Sequence, residues 1–141
     1  MAVHVIYENC SCTDSLMDHL MERSALPWVR EVILFVGRGH EDLLGLEAAG
    51  FELHMTSQDK LVQDFSIESA PVLIAVDSDG SLLYVGGYYR FPAAVRPLDQ
   101  KILSHVLVES RSMPSLPLPV YGCAVDKKLQ EALDPLGLLY E

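Results

Sequence analysis

Along the first 110 residues, apolar positions follow two alternating rhythms. VHVIY (3–7), EVILFVG (31–37), FELHM (51–55) and PVLIAV (71–76) are short runs rich in β-branched and aromatic residues, and they read as strands. The segments between them change to a helical period. TDSLMDHLMERS sets Leu16, Met17, Leu20 and Met21 on one face, with Asp14, Asp18 and Glu22 on the other. Ser11 or Thr13 is suited to cap its start, and Pro27 marks the region beyond its end. HEDLLGLEAAG predicts a helix closed by Gly50, and SQDKLVQDF (57–65) a shorter one. DSDG (77–80) is a turn, with SLLYVGGYY (81–89) as its antiparallel return. Inside that return, Gly86-Gly87 marks a bulge or a close backbone approach. PLDQKILSHVLVES (97–110) supplies a last amphipathic helix, with Pro97 in its first turn.

Strands alternating with helices imply parallel pairing, and the late hairpin adds antiparallel strands. The predicted class is α/β, a mixed central sheet flanked by helices. From Arg111 the character changes. SMPSLPLPVYG favours an extended connector, followed by a short helix in DKKLQEALDPLG and an apolar LLYE. We therefore divide the chain into a domain over 1–110 and an extension over 111–141. Leu136, Leu138, Leu139 and Tyr140 would be poorly placed in water, so the extension is expected to pack on the domain or on a partner. A homodimer formed through it is one such arrangement.

Composition narrows the function classes. Half of the residues are hydrophobic, which disfavours disorder. The formal net charge of −10 and the scattered Lys and Arg argue against a nucleic-acid or anionic-lipid partner. No stretch approaches the roughly 20 continuous apolar residues of a membrane span, and no signal-peptide pattern is visible. The sequence as given reads as cytoplasmic, or as periplasmic or membrane-tethered if a signal or anchor was trimmed before the strand at Val3.

The candidate chemistry lies in Cys10-Ser11-Cys12, where the first strand ends and the first helix begins. Unpaired N–H groups and the positive end of the helix dipole favour a thiolate there. Ionisation makes the sulfur a nucleophile, and a second thiol nearby can resolve a mixed disulfide. Glu8 and Asp14 oppose this, so the expected depression of the thiol pKa is moderate. No cofactor and no metal site is called for by any other motif: Walker loop, G-x-G-x-x-G, H-E-x-x-H and G-x-S-x-G are all missing.

The order strand, cysteine motif at a helix start, strand, helix, then FSIESAPVLIAVDSDGSLLYVGGY resembles the thioredoxin fold. With an extra strand and short helix before SAP, it is most similar to bacterial TlpA-like and redoxin-type thiol–disulfide oxidoreductases. The resemblance spans about residues 3–110 and rests on the cysteine motif and on Ala70-Pro71. It implies a cis peptide bond before Pro71, facing the cysteines, where Ala70 and Pro71 shape a groove and the backbone of Ala70 pairs with a bound chain. It also implies that Cys10 attacks and Cys12 resolves, with a protein or small thiol or disulfide as substrate and a separate electron donor or acceptor. The chain departs from the pattern in carrying C-x-C in place of C-x-x-C and in having no Trp beside it; Trp28 lies elsewhere. His4 falls at the family's buried acid position, where it either relays protons or is a hydrogen-bonded core histidine.

Two other readings stand beside thiol exchange. The C-x-C thiolates, with Cys123 or a histidine, could bind or deliver Cu(I) or Zn. Alternatively the fold is a non-catalytic interaction domain. A peroxidase would need an Arg near the thiol, and Arg90 is the one candidate. Cys123, in VYGCAVDKK, is either a relay or intermolecular thiol, or a small buried hydrophobe.

Overall fold

A computed structural model describes residues 1–109 and 117–140. The end of the expected 97–110 helix at Ser110 and the first half of the proline-containing connector, 111–116, lie outside the described residues. Five strands form one mixed sheet in the order β3-β2-β1-β5-β6. β1 (Ala2–Tyr7), β2 (Glu31–Val36) and β3 (Glu52–Thr56) are parallel. β5 (Val72–Val76) and β6 (Leu82–Gly86) run antiparallel to their neighbours. Ahead of β5, β4 (Ser69–Ala70) leaves this sheet and pairs with β7 (Cys123–Ala124) of the extension. The Ala70-Pro71 peptide bond is cis.

Alternation along the strands divides the core in two. His4 and Ile6, Ile33 and Phe35, and Leu73 and Ala75 point to one face, where α1 (Thr13–Arg23), α2 (Leu43–Ala48) and α4 (Asp99–Leu103) cover them. Leu16, Met17 and Leu20 are the buried stripe of α1, as their spacing predicts. α4 continues as a π-helical turn over Ser104–Glu109, so the expected single amphipathic helix changes its winding midway. Val5, Tyr7, Val36 and Val72 point to the other face. There they meet Leu61 of α3 (Gln58–Phe65) and Val125, which precedes α5 (Lys127–Leu133).

Residues of the extension thus contribute to the core. Leu118, Ala124 and Val125 are buried against the domain, whereas Leu136, Leu138 and Leu139 are exposed on this chain. The cause is local: the Asp134 carboxylate accepts the N–H groups of Leu138, Leu139 and Tyr140, and this loop turns the leucines outward. Tyr140 alone folds back, its hydroxyl accepting the Ala124 N–H at 3.1 Å.

A charged network lies at the end of the sheet where β1 and β2 begin. Arg23, the last residue of α1, donates to Glu31 and, at 2.7 Å, to Asp99; both carboxylates are fully buried. His4 bridges Glu31 at 2.9 Å and the Tyr88 hydroxyl at 2.8 Å, and His19 reaches Asp99 at 2.9 Å. Burial alone would raise Glu31, but His4, Arg23 and the Leu26 N–H outweigh it and hold its carboxyl at about 2.

Candidate functional site

At the other end of β1, three cysteines gather. The chain leaves Tyr7, turns through Glu8 and Asn9, and closes the turn with a 3.2 Å bond from the Cys10 N–H to the Tyr7 carbonyl. Cys12 is the N-cap of α1, and its carbonyl accepts the Leu16 N–H. Thr13, a cap candidate from sequence, instead donates its hydroxyl to the Tyr7 carbonyl and braces the turn; no side chain caps this helix. Asp14 and Glu8 are both held by other partners. Asp14 lies 3.0 Å from His40 Nε2, and Glu8 accepts the Arg38 N–H at 2.8 Å.

The sulfurs of Cys10 and Cys12 are 2.7 Å apart, and Cys10 Sγ lies 3.8 Å from the Ala70 carbonyl oxygen. The two anchors that the sequence singled out, the cysteine motif and Ala70-Pro71, therefore meet in space. Cys10 is only 6% exposed, whereas Cys12 is half-buried. Cys123 joins them from the extension: it is the register partner of Ala70 across β4 and β7, and it packs in the cluster that contains Cys10, Ala70 and Val125. Gly122 makes this approach feasible. A Cβ there would lie 2.0 Å from the Ala70 carbonyl oxygen and 2.7 Å from Pro71 Cδ, so no larger residue fits without movement.

Electrostatics separates the three thiols. Cys10 is pushed well up by its hydrogen bond with Cys12 and by burial. Cys12 is held below its ordinary value by that same hydrogen bond, and its place at the mouth of α1 acts in the same direction. Cys123 rises to about 11 through burial and its contact with Cys10. Under limiting iodoacetamide, Cys12 should therefore be modified before Cys10, as read from fragment ions of the peptide that carries both. Modification of Cys10 first would restore the order that the resemblance implies.

Sequence reading missed two contributors, Tyr89 and Val125, and left open what approaches Gly86-Gly87. Tyr89 stands near Cys12, and its phenol is pushed up by burial and by that sulfur's charge. Gly87 would place a Cβ 1.9 Å from the Pro119 carbonyl oxygen, and its N–H donates to the Leu118 carbonyl at 3.0 Å. Gly86-Gly87 is thus the close approach that its sequence suggested, with the extension as the approaching backbone; the register shift of the hairpin lies near Ala75 and Val76. Val125 completes the cover over the thiols, and only its hydrophobicity marked it. His4 has both ring nitrogens bonded and sits across the sheet from the cysteine cluster, as a hydrogen-bonded core histidine. Arg90 is exposed and His19 is taken by Asp99. Among the described residues, no group of three His, Cys, Asp or Glu side chains is arranged to hold a metal ion.

The architecture has solved counterparts. A hypothetical protein from Sinorhizobium meliloti superposes with a TM-score of 0.64 at 13% identity, covering 88% of this chain and 77% of its own. An uncharacterized conserved protein from Geobacillus kaustophilus gives 0.61 at 16% identity, with coverages of 89% and 75%. These likenesses concern the fold. No family model and no curated protein matches the chain.

Proposed function

We propose that the chain is a thioredoxin-like protein whose chemistry is thiol–disulfide exchange through Cys10 and Cys12. The observation that carries this reading is the contact of the two sulfurs at the start of α1, beside the Ala70-Pro71 corner. The more exposed and more acidic Cys12 is the entering nucleophile, reversing the roles that the resemblance implies. Its thiolate attacks a substrate disulfide, forms a mixed disulfide and releases one substrate thiolate. Cys10 then gives its proton to that departing sulfur and attacks Cys12 Sγ. The Cys10–Cys12 bond forms as the second substrate thiolate leaves, so the substrate gains two electrons and the dithiol loses them. Run backwards, the same steps oxidise a dithiol substrate.

The substrate class is a protein or small-molecule disulfide or dithiol. The test is exchange with oxidised glutathione and with insulin. Wild type should turn over, whereas Cys10→Ser should stop at a mixed disulfide on Cys12 and Cys12→Ser should lose turnover. Rates equal across all three would leave a binding scaffold. That second reading is favoured by one observation, the near-complete cover over Cys10.

A further inference from the structure

The extension does more than cover the site. β7 pairs with β4 in the position where the resemblance has a bound chain pair with Ala70, and it brings a cysteine with it. Gly122 lies on the Ala70 carbonyl and on Pro71, Cys123 is opposite Ala70, and Cys10 Sγ reaches the same Ala70 carbonyl. Upstream, the strap is anchored along Gly86-Gly87, and Tyr84 ties it there by donating its hydroxyl to the Gly87 carbonyl while accepting the Leu118 N–H. Downstream it is fixed by the Val125 and Asp126 N–H groups, which donate to the Glu68 carbonyl at 2.7 and 3.2 Å. A segment held on both sides delivers the Cys123 thiol to Cys10 with little freedom left to lose, which favours an intramolecular step over one with a solute.

We propose that Cys123 is a third exchange thiol, carried by a strap that occupies the substrate groove of its own chain, and that it receives Cys10 from Cys12. This deepens the thiol-exchange reading and rests on it. Starting from the Cys10–Cys12 disulfide, Cys123 loses its proton to solvent and its thiolate attacks Cys10 Sγ. The Cys10–Cys123 bond forms, the Cys10–Cys12 bond breaks, and Cys12 departs as a thiolate. One disulfide replaces another, so no outside oxidant or reductant is consumed. Attack on Cys10 makes Cys12 the leaving sulfur, and its place as the N-cap of α1 favours the departing thiolate. The exchange returns Cys12, less covered than Cys10, to its reactive form and stores the oxidised state under the strap. The contact of Cys123 with Cys10 of its own chain sets this role apart from an intermolecular disulfide.

The experiment is disulfide mapping of the full chain after treatment with oxidised glutathione and acid quenching. Trypsin leaves Cys10 and Cys12 together in residues 1–23 and Cys123 in residues 112–127, so a Cys10–Cys123 bond appears as a linked pair of peptides. Wild type should show linked and unlinked oxidised forms. Cys12→Ser should convert almost wholly to the linked form as a monomer on a non-reducing gel, and Cys10→Ser should give no link. A Cys12→Ser protein that carries only glutathione on Cys10, while wild type still forms Cys10–Cys12, would overturn the strap role and leave the exchange reading standing. A link that persists in Cys10→Ser would overturn the assignment to Cys10. Absence of any bond between the three cysteines would overturn both readings.

Discussion

Gly122→Val is expected to free the strap and expose Cys10. A side chain at this position runs into the Ala70 carbonyl and the Pro71 ring, both part of the backbone frame around the thiols. Forcing extra carbons into such a contact costs about 1–3 kcal/mol. If that cost falls on docking of the strap, the undocked population rises roughly 5- to 150-fold. Alkylation of Cys10, slow in wild type because the sulfur is covered, should accelerate by a factor in this range under native conditions. Cys12, already partly exposed, should change little. Leu46→Ala serves as the comparison, since it weakens the core beneath α2 without touching the strap. It should speed Cys10 labelling only through global unfolding. An unchanged Cys10 rate in Gly122→Val would show that something other than β7 shields the sulfur.

Arg23→Met should produce the largest loss of stability, about 3–5 kcal/mol, because it leaves Glu31 and Asp99 buried without their shared cation. The methionine preserves much of the stem that packs near Phe51, whose ring centroid is 5.3 Å from the guanidinium carbon. Packing is therefore not the main variable. Denaturant melts at neutral pH measure the effect, and a loss below 1 kcal/mol would mean that the network carries little net energy. Acid titration gives a second view. Glu31 has a folded value near 2 against an ordinary 4.5, so its contribution is fully present above about pH 4.5 and disappears as the pH falls toward 2. That contribution is on the order of 3 kcal/mol. In Glu31→Gln the acid limb of stability against pH should flatten, with a lower plateau at neutral pH.

These two sites differ in how far they could be read from residues alone. The strands and α1 were legible because their signals are local: the β-branched runs and the Leu16, Met17, Leu20 spacing need no partner to be recognised. The meeting of Cys10 with Ala70 could be anticipated only through a family likeness, since 60 residues separate them. The charged network was opaque. Arg23 and Glu31 have the look of surface charges at the ends of elements, and Asp99 is 76 residues from the arginine that neutralises it. No periodicity reports a burial that depends on such distant partners. The strap was half visible. Its prolines announced extended backbone, and Gly86-Gly87 announced an approach, but nothing in either segment said that one was the answer to the other. β7, two residues long, is below the length at which alternation carries information.

The pairing of Ala70 with Cys123 also has a consequence in the order in which the polypeptide is made. Cys10 and Cys12 precede Cys123 by more than a hundred residues, so during synthesis the two early thiols emerge well before their cover exists. A loop of that span is also among the last to close once the chain is complete. Every newly made molecule thus passes through an interval in which Cys10 and Cys12 are open to the surroundings, and this interval ends when the late segment settles over them.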